Sequence, residues 1–469
     1  MRQGTGPTGD EAAGGGTAGP SRCPYTGGAA HSLDRSPALG AEPSWDRLRS
    51  RHGGLIPVEV TPGVPGWLLL GYKENLRVLR DQTHFSADPR PWGDDAAPVR
   101  GAALARDGDD HQRLRLPIVE ALASVGTPHL VPVVERVAVR LIGRVGAKGA
   151  ADLVGQYAAP LPALVLNELL GLPDSYGHLL ADLTDRLRGD DARRAATAAP
   201  AVRAYFLGLV ARKRAAPGRD VTSALLEHPH GLTDDEAVEA LRLLWATGLE
   251  PTTHLIGNAL RLLVEDRRVW TAYLGGTLTP EDLLDYVMWT DPPVRVLAGR
   301  YARTDLRFSG TRIRRGDPLL FAFGAAHSDP SVAGDSGTAM DQLAGNRAHL
   351  SWGAGAHRCP ATSLTQELVR TALDTALDRM RDMVAVVGPA GPRRRASPGA
   401  HGLEELPVRF TPTGESEPVA AAEPDVRGAS RRRKRRPAAR GARYQAPFAE
   451  KPHEPDPLER LLETWTPRS

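Results

Sequence analysis

The sequence predicts one large domain that is mainly α-helical with small β-sheets, and three observations lead to this class. The chain has 469 residues, of which 41% are hydrophobic and 25% charged, as in a large globular domain. Stretches with helical spacing and caps dominate the chain after about residue 72. Two segments, residues 56–72 and 299–323, alternate around Gly and Pro turns, which is typical of short hairpins.

The composition divides the chain into three parts. Residues 1–38 are rich in Gly, Ala, Thr and Pro without periodicity, so we expect a disordered arm. Residues 39–412 form the expected domain. Residues 413–469 begin Glu-, Pro- and Ala-rich and continue with the basic run RRRKRR, so we expect a disordered basic tail that ends in a short helix.

The net charge and the number of cysteines narrow the possible partners and location of the protein. The net charge is only +3, which gives no argument for specific nucleic-acid binding. The two cysteines, Cys23 and Cys359, are too few for a disulfide framework and favour a reducing cytoplasm. The amino terminus lacks the cationic start and apolar run of a signal peptide, and no stretch has about 18 uninterrupted apolar residues. We therefore expect a cytoplasmic protein without a membrane span.

The first predicted elements are a hairpin over 56–72 and a helix over 73–81. The clearest helix begins at Thr233, whose side chain can cap the Glu236 amide in a capping box. It should run to about Asp266, roughly 32 residues or about 48 Å, which is long enough to cross the domain as a spine.

The middle of this spine helix combines residues that weaken a helix with polar side chains. Gly248 and Pro251 predict a kink there. Glu250 and Thr252 lie beside the kink, so we consider this segment a candidate functional site. The alternative is a kink with a structural role only.

Later elements follow from the same signals. Residues 299–323 predict a small antiparallel sheet, and a polar loop comes next. A Gly-rich turn then leads into a helix over about 361–383.

The segment over residues 349–364 reads HLSWGAGAHRCPATSL and contains the candidate chemistry. Its single cysteine, Cys359, comes directly before a helix, where backbone amides and the helix N-terminus stabilise a thiolate. Gly353 and Gly355 let the backbone approach a flat cofactor closely.

This segment resembles the cysteine-ligand loop of cytochromes P450, usually Phe-Gly-x-Gly-x-His-x-Cys-x-Gly, with Trp352 in place of Phe and Ala361 in place of the last Gly. The resemblance implies the cytochrome P450 fold (α+β), haem b as cofactor and Cys359 as the axial ligand to the iron. Two alternatives stay open: a zinc site, for which His357 and Cys359 lack a paired cluster, and a cysteine nucleophile with a distant His as base.

The resemblance covers roughly residues 40–412 and implies further haem contacts. In DGDDHQRLRLPIVEAL, His111 and Arg115 stand at the i, i+4 spacing of one helix face, where the family binds the haem propionates. Arg300 in AGRYARTD stands where the family has another propionate-binding arginine, and His357 commonly helps.

The spine helix resembles the family's oxygen-binding helix but departs from its Ala/Gly-Gly-x-Glu/Asp-Thr pattern. Here the sequence is Thr247-Gly248-Leu249-Glu250-Pro251-Thr252, so proline replaces the hydroxyl next to the acid. In the family this acid and alcohol help to deliver protons to oxygen. The relay is therefore either rebuilt through Thr252 and water or impaired. Some peroxide-using members have Arg-Pro here, and Glu250 has the wrong charge for that role.

A second departure is the family's Glu-x-x-Arg element, which should fall where this chain has Tyr286-Val287-Met288-Trp289. The third member of that buried charge triad aligns with Ala344. Replacing all three members by uncharged residues can leave the stability nearly unchanged, whereas replacing one leaves a buried charge without a partner. We expect Tyr286 and Trp289 to fill the space, with a carbonyl accepting the Trp289 N–H. This pattern resembles an actinobacterial P450 group that lacks the element.

The resemblance implies a monooxygenase that acts on a small organic substrate with electrons from a ferredoxin and its reductase. Arg358, Arg113 and Arg115 would suit an acidic ferredoxin. The alternative is a haem-binding regulatory or scaffold protein, which Pro251 and the lost triad favour. Pocket walls are expected from residues 84–108 and 164–220 and from the spine helix, and their mixed composition does not define a substrate.

The tail contains two further signals. The RRRKRR run is interpreted as solvated linker, with nucleic-acid or anionic-membrane binding as the alternative. The final segment DPLERLLETWTPRS predicts a short helix, capped by Asp456, with Pro457 at its first position. It should dock on its own domain or into the groove of a protein partner. Its apolar face consists of Leu458, Leu461, Leu462 and Trp465.

Overall fold

The computed structural model describes residues 31–32, 44–61, 63–92, 103–188, 192–333, 340–386, 391–395, 397, 399–413 and 457–464. Helices dominate this part of the chain, as predicted, and the strands form small sheets. The basic run at 431–436 lies outside the described residues.

The helices, numbered in chain order, are α1 (Trp45–His52), α2 (Tyr72–Arg80), α3 (Gly108–Ala123), α4 (Thr127–Gly143), α5 (Pro160–Leu169), α6 (Asp174–Arg188), α7 (Ala192–Ala215), α8 (Val221–Glu227), α9 (Asp234–Glu265), α10 (Arg267–Leu274), α11 (Pro280–Thr290), α12 (Phe323–His327), α13 (Pro330–Ala333), α14 (Met340–Leu343), α15 (Thr362–Arg379) and α16 (Pro457–Thr464). Short helical turns occur at Arg90–Trp92, Ala103–Ala105, Gly146–Lys148, Val154–Ala158 and Gly355–His357.

The strands are β1 (His31–Ser32), β2 (Leu55–Thr61), β3 (Val64–Leu69), β4 (Phe85–Ser86), β5 (Ala150–Asp152), β6 (Val296–Ala302), β7 (Leu306–Phe308), β8 (Thr311–Ile313), β9 (Pro318–Ala322), β10 (Val384–Ala385) and β11 (Pro407–Arg409). Six of them form one mixed sheet in the order β1-β2-β3-β9-β6-β4. The other described sheets are β10-β11-β5 and the hairpin β7-β8.

The predicted hairpin is confirmed, because β2 and β3 pair antiparallel with Leu55 opposite Leu69. The predicted antiparallel sheet over 299–323 is confirmed in the β6–β9 and β7–β8 pairs. β9 also pairs parallel with β3, which joins the two regions into one sheet. The expected disordered arm is contradicted at His31–Ser32, since this segment pairs with β2, and the rest of the arm lies outside the described residues.

The spine helix is confirmed as α9. The Thr233 side chain accepts from the Glu236 amide, and the Glu236 side chain accepts from the Thr233 amide, so the capping box is complete. The helix has 32 residues and continues through Pro251 to its C-cap at Asp266. It packs against α5, α7, α10, α11 and α15, which buries most of its second half. The helix predicted over 361–383 is α15, which ends earlier, at Arg379.

The cysteine loop lies where two apolar cores meet. Leu350 and Ala354 belong to the core on the side of the mixed sheet, together with Phe85 and Phe321. Trp352 instead packs against the large helical core. The loop is therefore held from both sides before α15 begins.

The terminal helix α16 docks on its own domain, in agreement with the first of the two expectations. Leu458 is fully buried and lies against Gly208 of α7. Arg212 of α7 forms an ion pair with Glu459 (3.2 Å). Leu461 and Leu462 pack on the helical core, as the predicted face requires. Trp465 lies outside the described residues.

No single described helix is both long and apolar enough to cross a membrane. By length and composition only, α3 and α4 pass such a test as a pair, and they are bent by 73° relative to each other.

A buried carboxylate ties the second half of α9 to two other segments. Asp291, at the end of α11, lies 3.0 Å from Arg261 of α9, 3.0 Å from Arg394 and 2.7 Å from Nε2 of His401. Burial opposes its ionisation, but His401 and the two guanidinium groups outweigh burial and hold the pKa of Asp291 well below its usual range. The Asn258 amide donates to the carbonyls of both Asp291 and His401.

We predict that Asp291→Asn lowers the free energy of unfolding by about 3 kcal/mol, because the substitution leaves the partly buried Arg261 and Arg394 without their shared anion. Urea denaturation followed by circular dichroism measures the change. Asp305→Asn is the control, since Asp305 pairs with Arg312 at an exposed site and its loss should leave the denaturation midpoint unchanged. An equal shift in both variants would contradict the role of Asp291.

We predict that Gly208→Ala releases α16 from α7. A Cβ at residue 208 would lie 2.6 Å from the backbone nitrogen of Leu458, and backbone cannot move away as a flexible side chain can. Amide hydrogen exchange in α16 should become much faster. Gly143→Ala is the matched control, because a Cβ there meets no atom within 4 Å. Unchanged exchange in Gly208→Ala would contradict this packing.

Candidate functional site

The backbone of the cysteine loop is closed by two hydrogen bonds. The amide of Gly353 donates to Leu350 O (2.8 Å), and the amide of Cys359 donates to Trp352 O (2.8 Å). The Thr362 hydroxyl then donates to Cys359 O (3.1 Å), at the first residue of α15. Cys359 is therefore fixed directly before the helix N-terminus, as predicted.

The environment of the Cys359 thiol differs from the expectation that the protein alone favours a thiolate. Burial raises the pKa of the Cys359 thiol. The Ala361 amide, the charges of Arg115 and Arg358, and the Thr362 hydroxyl all oppose this effect but do not reverse it. The protein alone therefore does not favour the thiolate at neutral pH, whereas a coordinated metal deprotonates a thiol outright.

These facts bear on the two alternatives for Cys359. A half-buried thiol with a raised pKa is a poor free nucleophile. The side chains that act on its pKa are Arg115, Arg358 and Thr362, and none of them is a general base. For the zinc alternative, the described part of the chain holds no group of three or more metal-ligating side chains.

The two glycines of the loop have different roles. Both adopt positive φ, +67° at Gly353 and +71° at Gly355, which favours glycine. A Cβ on Gly355 would lie 2.6 Å from Leu79 O, so this residue is small because the loop packs on the end of α2. A Cβ on Gly353 would make only ordinary contacts. For Gly355 the structure therefore gives a reason for glycine that is independent of any cofactor.

The structure brings His111 and His357 together. Both side chains are buried, and their ring centroids lie 4.0 Å apart. Burial, followed by the charges of His357 and Arg115, lowers the pKa of His111 to about 4. Burial also lowers the pKa of His357. Both rings are therefore neutral near pH 7.

The two predicted arginines lie beside these rings. Arg115 donates through Nη2 to the carbonyl of Arg358 in the cysteine loop. Arg300 is only 7% exposed, donates through Nη1 to Gly299 O (2.6 Å) and stacks over Phe321. Burial lowers the pKa of Arg300 to about 10, so it remains a buried cation at neutral pH.

This cluster fits haem b. Three buried ring nitrogens, His111 Nε2 and both nitrogens of His357, have no hydrogen-bond partner among the described residues. The charges of Arg115 and Arg300 act on both rings, so the guanidinium groups are close by. Each neutral ring carries one N–H donor, and a buried donor needs an acceptor. The propionate groups of a bound haem would supply anionic acceptors, and Cys359 would be the residue that ligates its iron.

Asp107, directly before α3, is a site residue that the sequence reasoning missed. Its carboxylate accepts from the Ser86 hydroxyl (2.5 Å), the Ala87 amide (3.1 Å) and Arg303 (2.7 Å), and it lies 3.9 Å from His357 Nε2. Burial opposes ionisation, but these partners outweigh it and hold the pKa of Asp107 well below its usual range. The signal in the sequence was an acidic residue at the predicted start of a helix.

The structure does not bring Glu250 and Thr252 together. They stand two positions apart on α9, and side chains at that spacing do not face each other. Thr252 is buried, whereas Glu250 is partly exposed. The group beside Glu250 is His254, one turn later, with 3.5 Å between His254 Nε2 and Glu250 Oε1. Sequence reasoning missed His254, although its i, i+4 spacing from the acid is visible.

The fold is that of the cytochrome P450 class, and the cysteine loop resembles the haem-ligand loop of that class. The curated relatives that the chain matches include bacterial cytochromes P450, which are oxidoreductases that bind haem b. The chain is 27% identical over 412 residues to 2-hydroxy-5-methyl-1-naphthoate 7-hydroxylase of Streptomyces carzinostaticus, covering 83% of this chain and 98% of the relative. It is 28% identical over 381 residues to cytochrome P450 107B1 of Saccharopolyspora erythraea, covering 77% and 93%.

Solved structures agree with this assignment. The ligand-free P450 monooxygenase TamI superposes with a TM-score of 0.70 at 29% identity, over 81% of this chain and 94% of TamI. No protein-family profile matches the chain.

We predict that Asp107→Asn lowers the free energy of unfolding by about 2 kcal/mol at pH 7, because Arg303 and the Ala87 amide lose a buried anion. The folded pKa lies below the unfolded value of about 3.9, so this stabilisation is present above that pH and is lost as the pH falls through the folded pKa. Urea denaturation of both proteins at pH 7 and near pH 3 should show the difference shrinking in acid. Asp109→Asn, at an exposed position of α3, should change little at either pH.

Proposed function

We propose that this protein is a haem-thiolate monooxygenase that inserts oxygen into a small organic substrate, with electrons from a ferredoxin and its reductase. The observation that supports it most directly is the half-buried Cys359 close in sequence to His357 of the His111–His357 pair, three of whose ring nitrogens have no hydrogen-bond partner among the described residues. The monooxygenase and hydroxylase relatives favour this function over the regulatory alternative.

In this proposal, His111, Arg115, Arg300 and His357 bind the haem propionates, Trp352, Gly353 and Gly355 shape the loop, and Cys359 ligates the iron. Haem with thiolate ligation supplies oxygen activation, because the sulfur donates electron density that favours O–O cleavage. The neutral His111 and His357 rings donate hydrogen bonds, while Arg115 and Arg300 provide the positive charge. The Asp107 carboxylate, 3.9 Å from His357 Nε2, positions the His357 ring.

The proposed proton delivery runs along α9. Pro251 has no N–H, so the carbonyl of Thr247 lacks the helical donor that residue 251 would otherwise supply. This leaves an acceptor next to Glu250 for a proton carrier such as water. His254 can accept a proton from Glu250 or return one to it. Thr252, on another face of the helix, reaches this relay only through water.

The proposed ferredoxin contact surrounds Arg358. This side chain is exposed next to Cys359, which suits an acidic partner that delivers electrons to the iron. Arg113, also expected there, forms an ion pair with Glu236 at the start of α9, so part of its charge is compensated. Arg115 is turned into the loop and contributes positive potential rather than contact.

The first test is the carbon monoxide difference spectrum of the reduced, haem-loaded protein. We expect a strongly red-shifted Soret band that disappears in Cys359→Ser, because only a thiolate ligand produces it. Cys23→Ser, the same change at the other cysteine, should keep the band. Haem binding without this band in the unsubstituted protein would overturn the oxygenase proposal.

A second measurement tests electron delivery. Reduction by a bacterial ferredoxin and its reductase should be slowed several-fold in Arg358→Glu, through the reversed charge, and less in Arg358→Gln. Because exposed charges are screened, the difference between the two variants should shrink at high salt. Equal rates for all three proteins would exclude a docking role for Arg358.

A further inference from the structure

A cluster of buried polar side chains lies behind the cysteine loop. Asp285 and Trp289 belong to α11, His327 ends α12, and His349 begins the segment that leads to Cys359. They are 2%, 4%, 3% and 6% exposed, respectively. Trp289 packs edge-on against both His327 (5.0 Å) and His349 (6.2 Å) between ring centroids. These residues occupy the region in which the sequence lacks the charged triad.

The cluster binds the backbone that precedes the loop. Trp289 Nε1 donates to Asn346 O (2.6 Å), and the Leu350 amide donates to His327 Nε2 (2.9 Å). Because His327 Nε2 accepts, this ring is neutral with its proton on Nδ1. The pKa of His327 is lowered to about 3, mainly by burial, which agrees with a neutral ring.

Two further contacts complete the attachment. The Ser351 hydroxyl donates to Met288 O (3.0 Å), and His349 Nε2 lies 3.3 Å from Asp285 Oδ1. Contacts from α11 and α12 thus fix residues 346, 349, 350 and 351 in turn. The next residues carry the bonds that close the loop on Cys359.

The expected packing by Tyr286 is wrong. Tyr286 lines a separate cavity of about 290 Å³ together with Arg261 and Asp291, on the α9 side of α11. The predicted carbonyl partner of Trp289 is confirmed in Asn346.

We propose that Trp289, His327 and the His349–Asp285 pair form a positioning unit that replaces the charged triad and holds Cys359 in the place where it ligates iron. The unit contacts the backbone through two neutral groups: the indole of Trp289 at Asn346 O and the imidazole of His327 at the Leu350 amide. Its one acid, Asp285, lies 3.3 Å from His349 and 3.7 Å from Arg347, so this buried carboxylate has partners of its own. Its residues act through the loop and do not touch the haem. This inference rests on the haem-thiolate function proposed above.

The test compares His327→Leu with His327→Gln. Leucine fills a similar volume but leaves the buried Leu350 N–H without an acceptor, whereas the glutamine carbonyl can accept from it. We expect the ratio of non-thiolate to thiolate ferrous carbon monoxide complex to rise about tenfold in His327→Leu and to return toward the unsubstituted value in His327→Gln. Trp289→Phe, which keeps an aromatic ring but frees Asn346 O, should shift the ratio in the same direction.

Tyr286→Phe is the control on the same helix and should leave the ratio unchanged. The melting temperature of each variant separates loss of loop positioning from general destabilisation. General destabilisation lowers the melting temperature without changing the ratio of the two bands. An unchanged ratio in folded His327→Leu and Trp289→Phe would overturn the proposal. Absence of the thiolate band from the unsubstituted protein would instead overturn the proposed function.

Discussion

The hydrogen bond from the Cys359 amide to Trp352 O sets the geometry on which the site depends. It closes an eight-residue turn, 352–359, that passes through two glycines at positive φ, and Gly355 packs this turn against Leu79 O. Such a turn has few ways to satisfy its own polar groups, so its neighbours must hold it. α11 and α12 hold its beginning, α3 reaches it through Arg115, and α15 starts at its end.

Burial governs the chemistry of the same region. It keeps His111 and His327 neutral, and it raises the pKa of the Cys359 thiol. Arg300 stays charged even though burial lowers its pKa. The arrangement places neutral imidazole donors beside the guanidinium charges of Arg115 and Arg300, which favours an anionic partner there. The partners of Asp107 and Asp291 hold the pKa values of both acids low, so both are ionised at neutral pH.

Local signals made much of this structure predictable. The capping box at Thr233 gave the start of α9 to the residue, and turn residues gave the β2–β3 hairpin. The cysteine loop was recognisable because its residues are contiguous in sequence. His327 and Asp285 were not predictable as a unit, since no local pattern indicates that α11 and α12 converge on residue 350. Helix geometry turns Glu250 and Thr252 to different faces of α9, and the same geometry places His254 beside Glu250.

The docking of α16 illustrates how covalent connection changes a weak association. A helix of eight residues with one fully buried leucine and one ion pair would scarcely bind α7 as a separate peptide. Residues 414–456 join it covalently to the domain, so its binding to α7 is intramolecular and its effective concentration there exceeds that of a dilute free peptide. An added peptide of the same sequence would have to exceed that concentration to displace it. The carboxyl terminus therefore holds its site against competitors by connectivity more than by intrinsic affinity.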